Sequence, residues 1–334
     1  MPAVSSPQYD LGRYQQTGVL GAGTFGVVVR AVDPDSLADC PAEVAIKLLP
    51  RGELLKNFKT YVTREILHQS CLEHPFIVSI KEVFLTRTHL AIAMEYAQGG
   101  DLFRYVLRHK AARLAESQAR WIFQQLVIGL DFCHRSGVAN RDLKLENMLL
   151  DRDGQDGTRP LLKICDFGYS KHEMNSSAKT GVGTPIYMAP EIIYGGNRYD
   201  AKAADLWSVG VILFAMLIGR YPFSQRESNV ARNIVSATYS LPDDVQVSAP
   251  CRDLLARLLV ANPSERMSME EIKVHSWFLE DLPEGALAMN DWYLQSRPVY
   301  DQYQGMVEAM VEAAQLPGVP GEPLLSVELE CAAH

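Results

Sequence analysis

The chain has 334 residues, 47% of them hydrophobic and 22% charged, which excludes disorder, a collagen repeat or a coiled coil as its main state and leaves one large unit or two lobes. Its 32 Lys and Arg against 40 Asp and Glu give a net charge of −8, the wrong sign for a generic nucleic-acid or anionic-membrane binder. The charge is local: residues 301–334 hold six acids and no Lys or Arg, so residues 1–300 carry 32 basic against 34 acidic groups.

The first ten residues have no basic segment followed by an apolar one, so no signal peptide is expected, and Pro2 argues against N-myristoylation. The longest apolar run, Val209–Ile218, is far short of a bilayer span. The six cysteines are scattered, without metal spacing, and read as reduced thiols of a cytoplasmic or nuclear protein. A monomer without nucleic-acid or membrane partners is expected.

From Tyr14 to about Ile92 the pattern is strand-like, with β-branched runs at Gly26–Ala31 and Val44–Leu49 and one helix at Asn57–Leu72. Ala97-Gln98-Gly99-Gly100 reads as a hinge. Helices follow at Leu102–Lys110, Glu116–Ser136, Ala201–Ile218, Glu227–Ser236, Ser248–Ala261 and Ser268–His275, with a hairpin at Met148–Ile164 whose turn signals are Asp153-Gly154 and Asp156-Gly157. Past Asp281 a linker is expected. An amphipathic helix over Gln304–Ala314 follows, with apolar residues at i, i+1, i+4 and i+5 that serve packing or a partner, and then a Pro/Gly-rich tail expected to be mobile. The domain scheme is therefore an N-terminal extension (1–13), a two-lobed domain (14–278, with lobes at about 14–94 and 98–278), a linker with the amphipathic helix (279–315) and a short acidic tail (316–334).

The motifs carry the chemistry. Gly21-Ala22-Gly23-Thr24-Phe25-Gly26 followed by Val27 and Val28 is a glycine-rich strand–turn–strand whose N–H groups suit phosphates, and the strand after Gly26 disfavours a dinucleotide fold. Lys47, in Val44-Ala45-Ile46-Lys47, could reach α- and β-phosphates if Glu65 holds it. In Asn140-Arg141-Asp142-Leu143-Lys144-Leu145-Glu146-Asn147, Asp142 would accept the proton of a substrate hydroxyl, Lys144 would neutralise the phosphoryl in transit and Asn147 would take one Mg²⁺. Asp166, in Asp166-Phe167-Gly168, supplies a second metal carboxylate, and Ala189-Pro190-Glu191 closes the segment. Each string alone is weak; their joint order and spacing are not a coincidence.

With these motifs, residues 14–278 resemble a eukaryotic protein kinase, an α+β bilobal fold with a β-rich N-lobe and a helical C-lobe. The strings Thr88–Ala97, Asp142–Leu150, Lys163–Lys171 and His275–Leu279 resemble subfamily 2 of the plant sucrose-non-fermenting-1-related kinases, Ser/Thr kinases of osmotic, nutrient and hormone stress. The resemblance implies ATP and Mg²⁺, adenine held by Leu20, Val28, Ala45 and Leu149, Met94 as gatekeeper and the Glu95–Ala97 backbone as hinge. It makes Asp205 the residue that ties the catalytic-loop backbone and Arg266 the partner of Glu191, both structural. Thr180 aligns with the family's main phosphosite, with Ser176 and Ser177 as other candidates, while Thr184 is expected to contact the catalytic loop rather than receive phosphate, and an upstream kinase is implied. Arg141 is the expected phosphate partner. Lys144 and Gly183-Thr184-Pro185 have the Ser/Thr form, while Asp101 and Glu146 match positions where related kinases set acids against basic residues before the acceptor or against the ribose, with a solvated surface acid the equal alternative for Asp101. The helix at Gln304–Ala314 resembles one that packs on the regulatory helix and helps hold Glu65 inward. Hormone-responsive members carry a longer acidic tail that binds type 2C protein phosphatases; the short tail here favours a hormone-independent stress kinase, with such a phosphatase as a weaker partner. Asn140 stands where the family has an architectural His. A pseudokinase scaffold or a calcium/calmodulin-class kinase is the rival reading, against which stand the complete set Lys47, Glu65, Asp142, Asn147 and Asp166 and the absence of an EF-hand string.

Overall fold

A computed structural model describes residues 7–23, 26–36, 42–152, 159–167, 185–194, 199–223, 229–296, 301–319 and 325–329. In chain order these form β1 (Gln15–Gly23), β2 (Gly26–Asp33), β3 (Ala42–Pro50), α1 (Glu53–Ser70), β4 (Ile80–Leu85), β5 (His89–Glu95), β6 (Gly100–Asp101), α2 (Leu102–Arg108) and α3 (Glu116–Arg135). They continue as β7 (Met148–Arg152), β8 (Leu161–Ile164), α4 (Pro190–Ile193), α5 (Ala201–Ile218), α6 (Val230–Val235), α7 (Ala249–Leu258), α8 (Met269–Lys273), α9 (Ser276–Leu279), α10 (Met289–Ser296), α11 (Asp301–Ala314) and β9 (Ser326–Glu328). The chain divides into two compact units, one of residues 1–73, 78–96 and 297–334 and one of residues 74–77 and 97–296.

The first unit is an antiparallel sheet in the order β1-β2-β3-β5-β4-β9. Alternation along each strand sends side chains to opposite faces. On one face Val29, Ala31, Val44, Ile46, Leu48, Ala91 and Ala93 pack under Leu11 and Tyr14. On the other, Leu49, Leu90 and Ile92 pack against Val62 and Ile66 of α1 and against Tyr303, Val307, Met310, Val311 and Ala314 of α11. This apolar stripe follows the 3.6-residue period, but its members differ from the expected ones: Met306 is 49% exposed because it points off the stripe.

Two polar devices fix α11. Arg51 donates from Nη2 to the Ala313 carbonyl (3.2 Å) and from Nε to the Leu316 carbonyl (3.1 Å), and Gly52 N–H donates to the Ala314 carbonyl (2.9 Å), so the last carbonyls of α11 are satisfied. Lys59 of α1 also pairs with Glu312.

The tail departs from expectation. Residues 325–329 extend the sheet: β9 pairs with β4, Leu85 N–H donates to the Leu325 carbonyl (2.9 Å), and Leu329 is buried in the α1–α11 core. The physical reason is an otherwise open edge on β4 together with an apolar Leu-Ser-Val-Glu-Leu segment of strand alternation. A glycine makes the approach to this strand possible, since a Cβ on Gly318 would lie 2.3 Å from the Arg87 carbonyl oxygen.

The second unit is helical around α3 and α5, with the small sheet β6-β7-β8. Helix α5 is long and apolar enough to cross a membrane, with mean hydropathy 1.7, but 78% of it is buried within this unit, as an all-round apolar core helix is. Asp200 caps its start by accepting from Lys202 N–H (2.9 Å). The expected helix at Ser268–His275 is α8, capped by Ser268 and ending at Lys273; the buried His275 then caps a further short helix, α9, by accepting from Trp277 N–H (3.2 Å). The expected linker past Asp281 contains α10. It is held by the buried Asn290, which donates to the Ile128 carbonyl (3.0 Å) and Asp131 (2.8 Å). Residues 297–334 belong with the first unit and 279–296 with the second. Of the four described cysteines, Cys71, Cys133 and Cys251 are buried. Burial pushes the Cys251 thiol up to about 12, which leaves it inert.

Candidate active site

In the first unit the strand register builds one surface. Val28 lies opposite Lys47, Ala45 opposite Met94, and Lys47 opposite Ile92, so Val28, Ala45, Lys47 and Met94 share a face. Leu20 lies at an irregularity of β1 and is exposed. Gly21, Ala22 and Gly23 end β1 opposite Val28, Val27 and Gly26. Gly26 is required by close approach: a Cβ there would lie 1.9 Å from the Leu48 carbonyl oxygen. Thr24 and Phe25 lie outside the described residues, as do Gly168, Ser176, Ser177, Thr180, Gly183 and Thr184. Lys47 Nζ pairs with Glu65 Oε1 at 2.5 Å, and the side chains are 16% and 6% exposed. Glu65 is delivered by α1, whose apolar side is seated by α11. The pair is thus carried by a strand on one side and a doubly packed helix on the other.

In the second unit the loop after α3 is held from below. Asp205 of α5, 1% exposed, accepts from Asn140 N–H (2.9 Å), Arg141 N–H (2.8 Å) and His134 Nε2 (2.8 Å). His134 was not singled out from the sequence; its place in an otherwise apolar stretch of α3 was the available signal. Arg141 in this loop, with φ 68°, and Asp166, just past β8, with φ 65°, hold left-handed positions that persist only where surroundings over-determine them.

Asp142 is the centre of this arrangement. Lys144 Nζ donates to Asp142 Oδ2 (2.7 Å), and Asn147 Nδ2 donates to the same oxygen (2.8 Å) and to the Asp142 carbonyl (2.9 Å). Among the described residues both side-chain bonds fall on Oδ2 and none on Oδ1. Burial pushes the Asp142 carboxyl above its ordinary value, against the pull of the Lys144 ammonium. For Lys144, burial pulls down, but the Asp142 carboxylate more than offsets it and the ammonium stays charged. Because Asn147 spends its amide hydrogens on Asp142, its amide oxygen is left as an acceptor. That oxygen and the Asp166 carboxylate are hard oxygen donors, a set that fits Mg²⁺. Cys165 N–H donates to the Asn147 carbonyl (3.1 Å), which keeps the Asp166 strand end beside the loop.

Tyr187 Oη accepts from Leu145 N–H (3.2 Å) and contacts Tyr221 Oη (3.0 Å) and Glu146 (3.4 Å), a support the sequence reading did not find. Glu191 and Arg266 make a two-pronged pair at 2.8 and 2.9 Å. Asp101 caps α2 by accepting from Arg104 N–H (2.7 Å), so its carboxylate already has a structural task. Leu149 lies on β7, paired with Asp101 and Lys163, and Ala97 is buried in this unit just past Glu95 and Tyr96, which end the first.

Comparison with known proteins gives a consistent picture. Residues 14–278 match the protein kinase domain. The chain is 44% identical over 319 residues to the serine/threonine-protein kinase SAPK1 of Oryza sativa subsp. japonica, covering 92% of this chain and 88% of that one. It is 45% identical over 301 residues to SRK2E of Arabidopsis thaliana (87% and 79%) and 45% identical over 289 residues to SRK2A of Physcomitrium patens (85% and 79%), both serine/threonine-protein kinases.

Proposed function

The chain belongs to the protein kinase family, and from that premise we propose that it transfers the γ-phosphoryl group of ATP to serine and threonine hydroxyls of proteins, with Asp142 as the residue that receives the acceptor proton. The observation that carries this is the one-sided bonding of Asp142 among the described residues: Lys144 and Asn147 hold Oδ2, and Oδ1 would receive the hydroxyl. A carboxylate raised above its ordinary value is a better base at neutral pH while still ionised. Lys144 then stands beside the base to offset charge on the phosphoryl group in transit. Asn147 and Asp166 would hold Mg²⁺, which supplies charge neutralisation at the phosphate oxygens when bound. Lys47, oriented by Glu65, would bind the α- and β-phosphates, and Leu20, Val28, Ala45 and Met94 of the same unit would give adenine an apolar surface, with Glu95 offering backbone groups. In such a reaction positioning and electrostatics do most of the work.

The identities of 44% and 45% to the rice, Arabidopsis and moss kinases support a place in subfamily 2 of the plant sucrose-non-fermenting-1-related kinases, with a role in osmotic or nutrient stress. Arg141, exposed beside the base, is the group a phosphate on Thr180 would pair with after an upstream kinase acts. The test is phosphate transfer from Mg-ATP to a peptide mixture presenting Ser, Thr and Tyr. Phosphoserine and phosphothreonine are expected, with strong loss in Thr180→Ala; phosphotyrosine alone, or no transfer by activated protein, contradicts the reading. As pH falls, kcat/KM should drop with an acid limb above the range of an ordinary aspartate, because protonating Asp142 removes the base.

A further inference from the structure

Helix α10 lies beyond the residues 14–278 that match the protein kinase domain, and no part of the reaction above uses it. Its anchor is the buried Asn290, whose carboxamide is bonded at both ends. Nδ2 donates to the Ile128 carbonyl (3.0 Å) and to Asp131 Oδ2 (2.8 Å) on α3, and Oδ1 faces His74 Nε2 at 3.1 Å. His74, also buried, accepts at Nδ1 from Phe76 N–H (3.1 Å), so its ring proton lies on Nε2 and the ring donates to Asn290. The ring stacks on Phe132 of α3 (4.9 Å) and meets Tyr293 of α10 edge-on (5.1 Å). The buried Asp131 is offset by Lys273 (3.2 Å), and Asp291, next to Asn290, pairs with Arg135 of α3 (2.6 Å).

Residues 74–77 belong to the helical unit and have a second attachment there. The Phe76 carbonyl accepts from Ile164 N–H (2.8 Å), and Ile77 forms a parallel bridge with Ile164 at the end of β8. Asp166 follows two residues later, in its left-handed conformation. A continuous run of bonds therefore leads from Asn290 through His74 and Phe76 to the strand end that delivers Asp166.

We propose that Asn290 is a positioning residue for phosphoryl transfer: through His74 it sets residues 74–77 on α3, and these set the end of β8 from which Asp166 leaves. The inference rests on the reading of Asp166 as a metal carboxylate given above. An amide suits the place because it accepts from the ring N–H and donates to a carbonyl and a carboxylate at once, without adding charge beside the buried Asp131. A buried network of this kind fails as a unit, so losing either partner of the Asn290–His74 bond should have the same consequence as losing both.

The test uses the full chain as wild type, Asn290→Leu, His74→Phe, the double variant, Trp292→Ala and Asp142→Asn. Each is compared per folded molecule in transfer from Mg-ATP to a Ser peptide, and amide hydrogen exchange at Ile164 is read without nucleotide. Leucine keeps the volume of Asn290 without its bonds, and phenylalanine keeps the stack on Phe132 without the ring N–H. Asn290→Leu and His74→Phe should each lose about tenfold in kcat, keep the peptide KM within about threefold and need more Mg²⁺ for half-maximal rate. The double variant should lose no more than the worse single one, and Ile164 N–H should exchange faster in all three. Trp292→Ala, at an exposed position of the same helix, should change neither the rate nor Ile164 exchange. If Asn290→Leu does not fold, Asn290→Ser should show the same losses. A kcat within about twofold of wild type, an unchanged Mg²⁺ dependence, unchanged Ile164 exchange or additive losses in the double variant would overturn the inference. Wild type no faster than Asp142→Asn would instead overturn the reading of the site itself, and the catalytic role of Asn290 with it.

Discussion

The two units hold their candidate functional side chains in opposite ways. In the second unit Asp142, the proposed base, is set by polar bonds: Asp205 accepts from two loop N–H groups, Asn147 and Lys144 fix one carboxylate oxygen, and Asn140 Oδ1 accepts from the Asp142 N–H. In the first unit the Lys47–Glu65 pair depends on apolar packing at a distance, because α1 is seated by Val307, Met310 and Val311 of α11, with Leu329 beyond β9 closing the same core. Hydrogen bonds fix direction and fail at once when a partner is lost; packing yields in proportion to the area removed. The base should therefore respond to mutation as a switch, and the lysine pair should be tunable through residues that never touch it.

The largest effect should come from Asp142→Asn, which keeps the shape and removes the base, and about 10²–10⁴-fold in kcat should be lost with little change in stability. Next, Glu65→Gln should weaken the hold on Lys47 and lower kcat/KM for ATP by roughly 10²-fold, as loss of one preorganised electrostatic contact does. Val311→Ala is the test of tunability. Removing two buried carbons should cost about 2 kcal/mol in chemical denaturation and lower activity only partly. Activity unchanged at the same loss of stability would break the link between α11 and Glu65.

The fourth prediction concerns pH in the second unit. His74 stacks on Phe132 (4.9 Å) and donates to Asn290 Oδ1, and burial lowers it to about 4 from an ordinary 6.5. A depressed folded value means the unfolded chain takes up the proton first. Stability should therefore be full above pH 6.5 and fall by up to about 3 kcal/mol as pH drops to about 4. His74→Gln should flatten that part of a denaturation–pH curve. The smallest effect should come from truncation after Val319, which removes β9 and the buried Leu329 and should lower the melting temperature by a few degrees.

Much of this was legible in the chain. Strings such as Val44–Lys47 and Asn140–Asn147 combine residue types that local backbone rules and phosphate chemistry both demand, and periodicity placed α3 and α5 within a residue of their bounds, while α1 and α11 begin about a turn before their expected starts. The tail was not legible. Leu325–Leu329 has strand alternation over only a few residues, and its pairing is decided by an edge more than 240 residues away. Helix α10 was hidden for the same kind of reason, since the buried Asn290 that holds it looks like a loop residue until Asp131 and Ile128 are beside it. The bonds of Asn140 could not be read either, because a side chain that joins residues 142 and 166 has no sequence period.

The claim on which the rest depends is that Asp142 is the base of a Ser/Thr phosphoryl transfer. Single-turnover transfer of the γ-phosphoryl from Mg-ATP to a Ser peptide, run with wild type and Asp142→Asn at matched folded fraction, addresses it directly. A loss of about 10²-fold or more in Asp142→Asn, with ATP binding retained, is the expected result. Equal rates for the two proteins would contradict it.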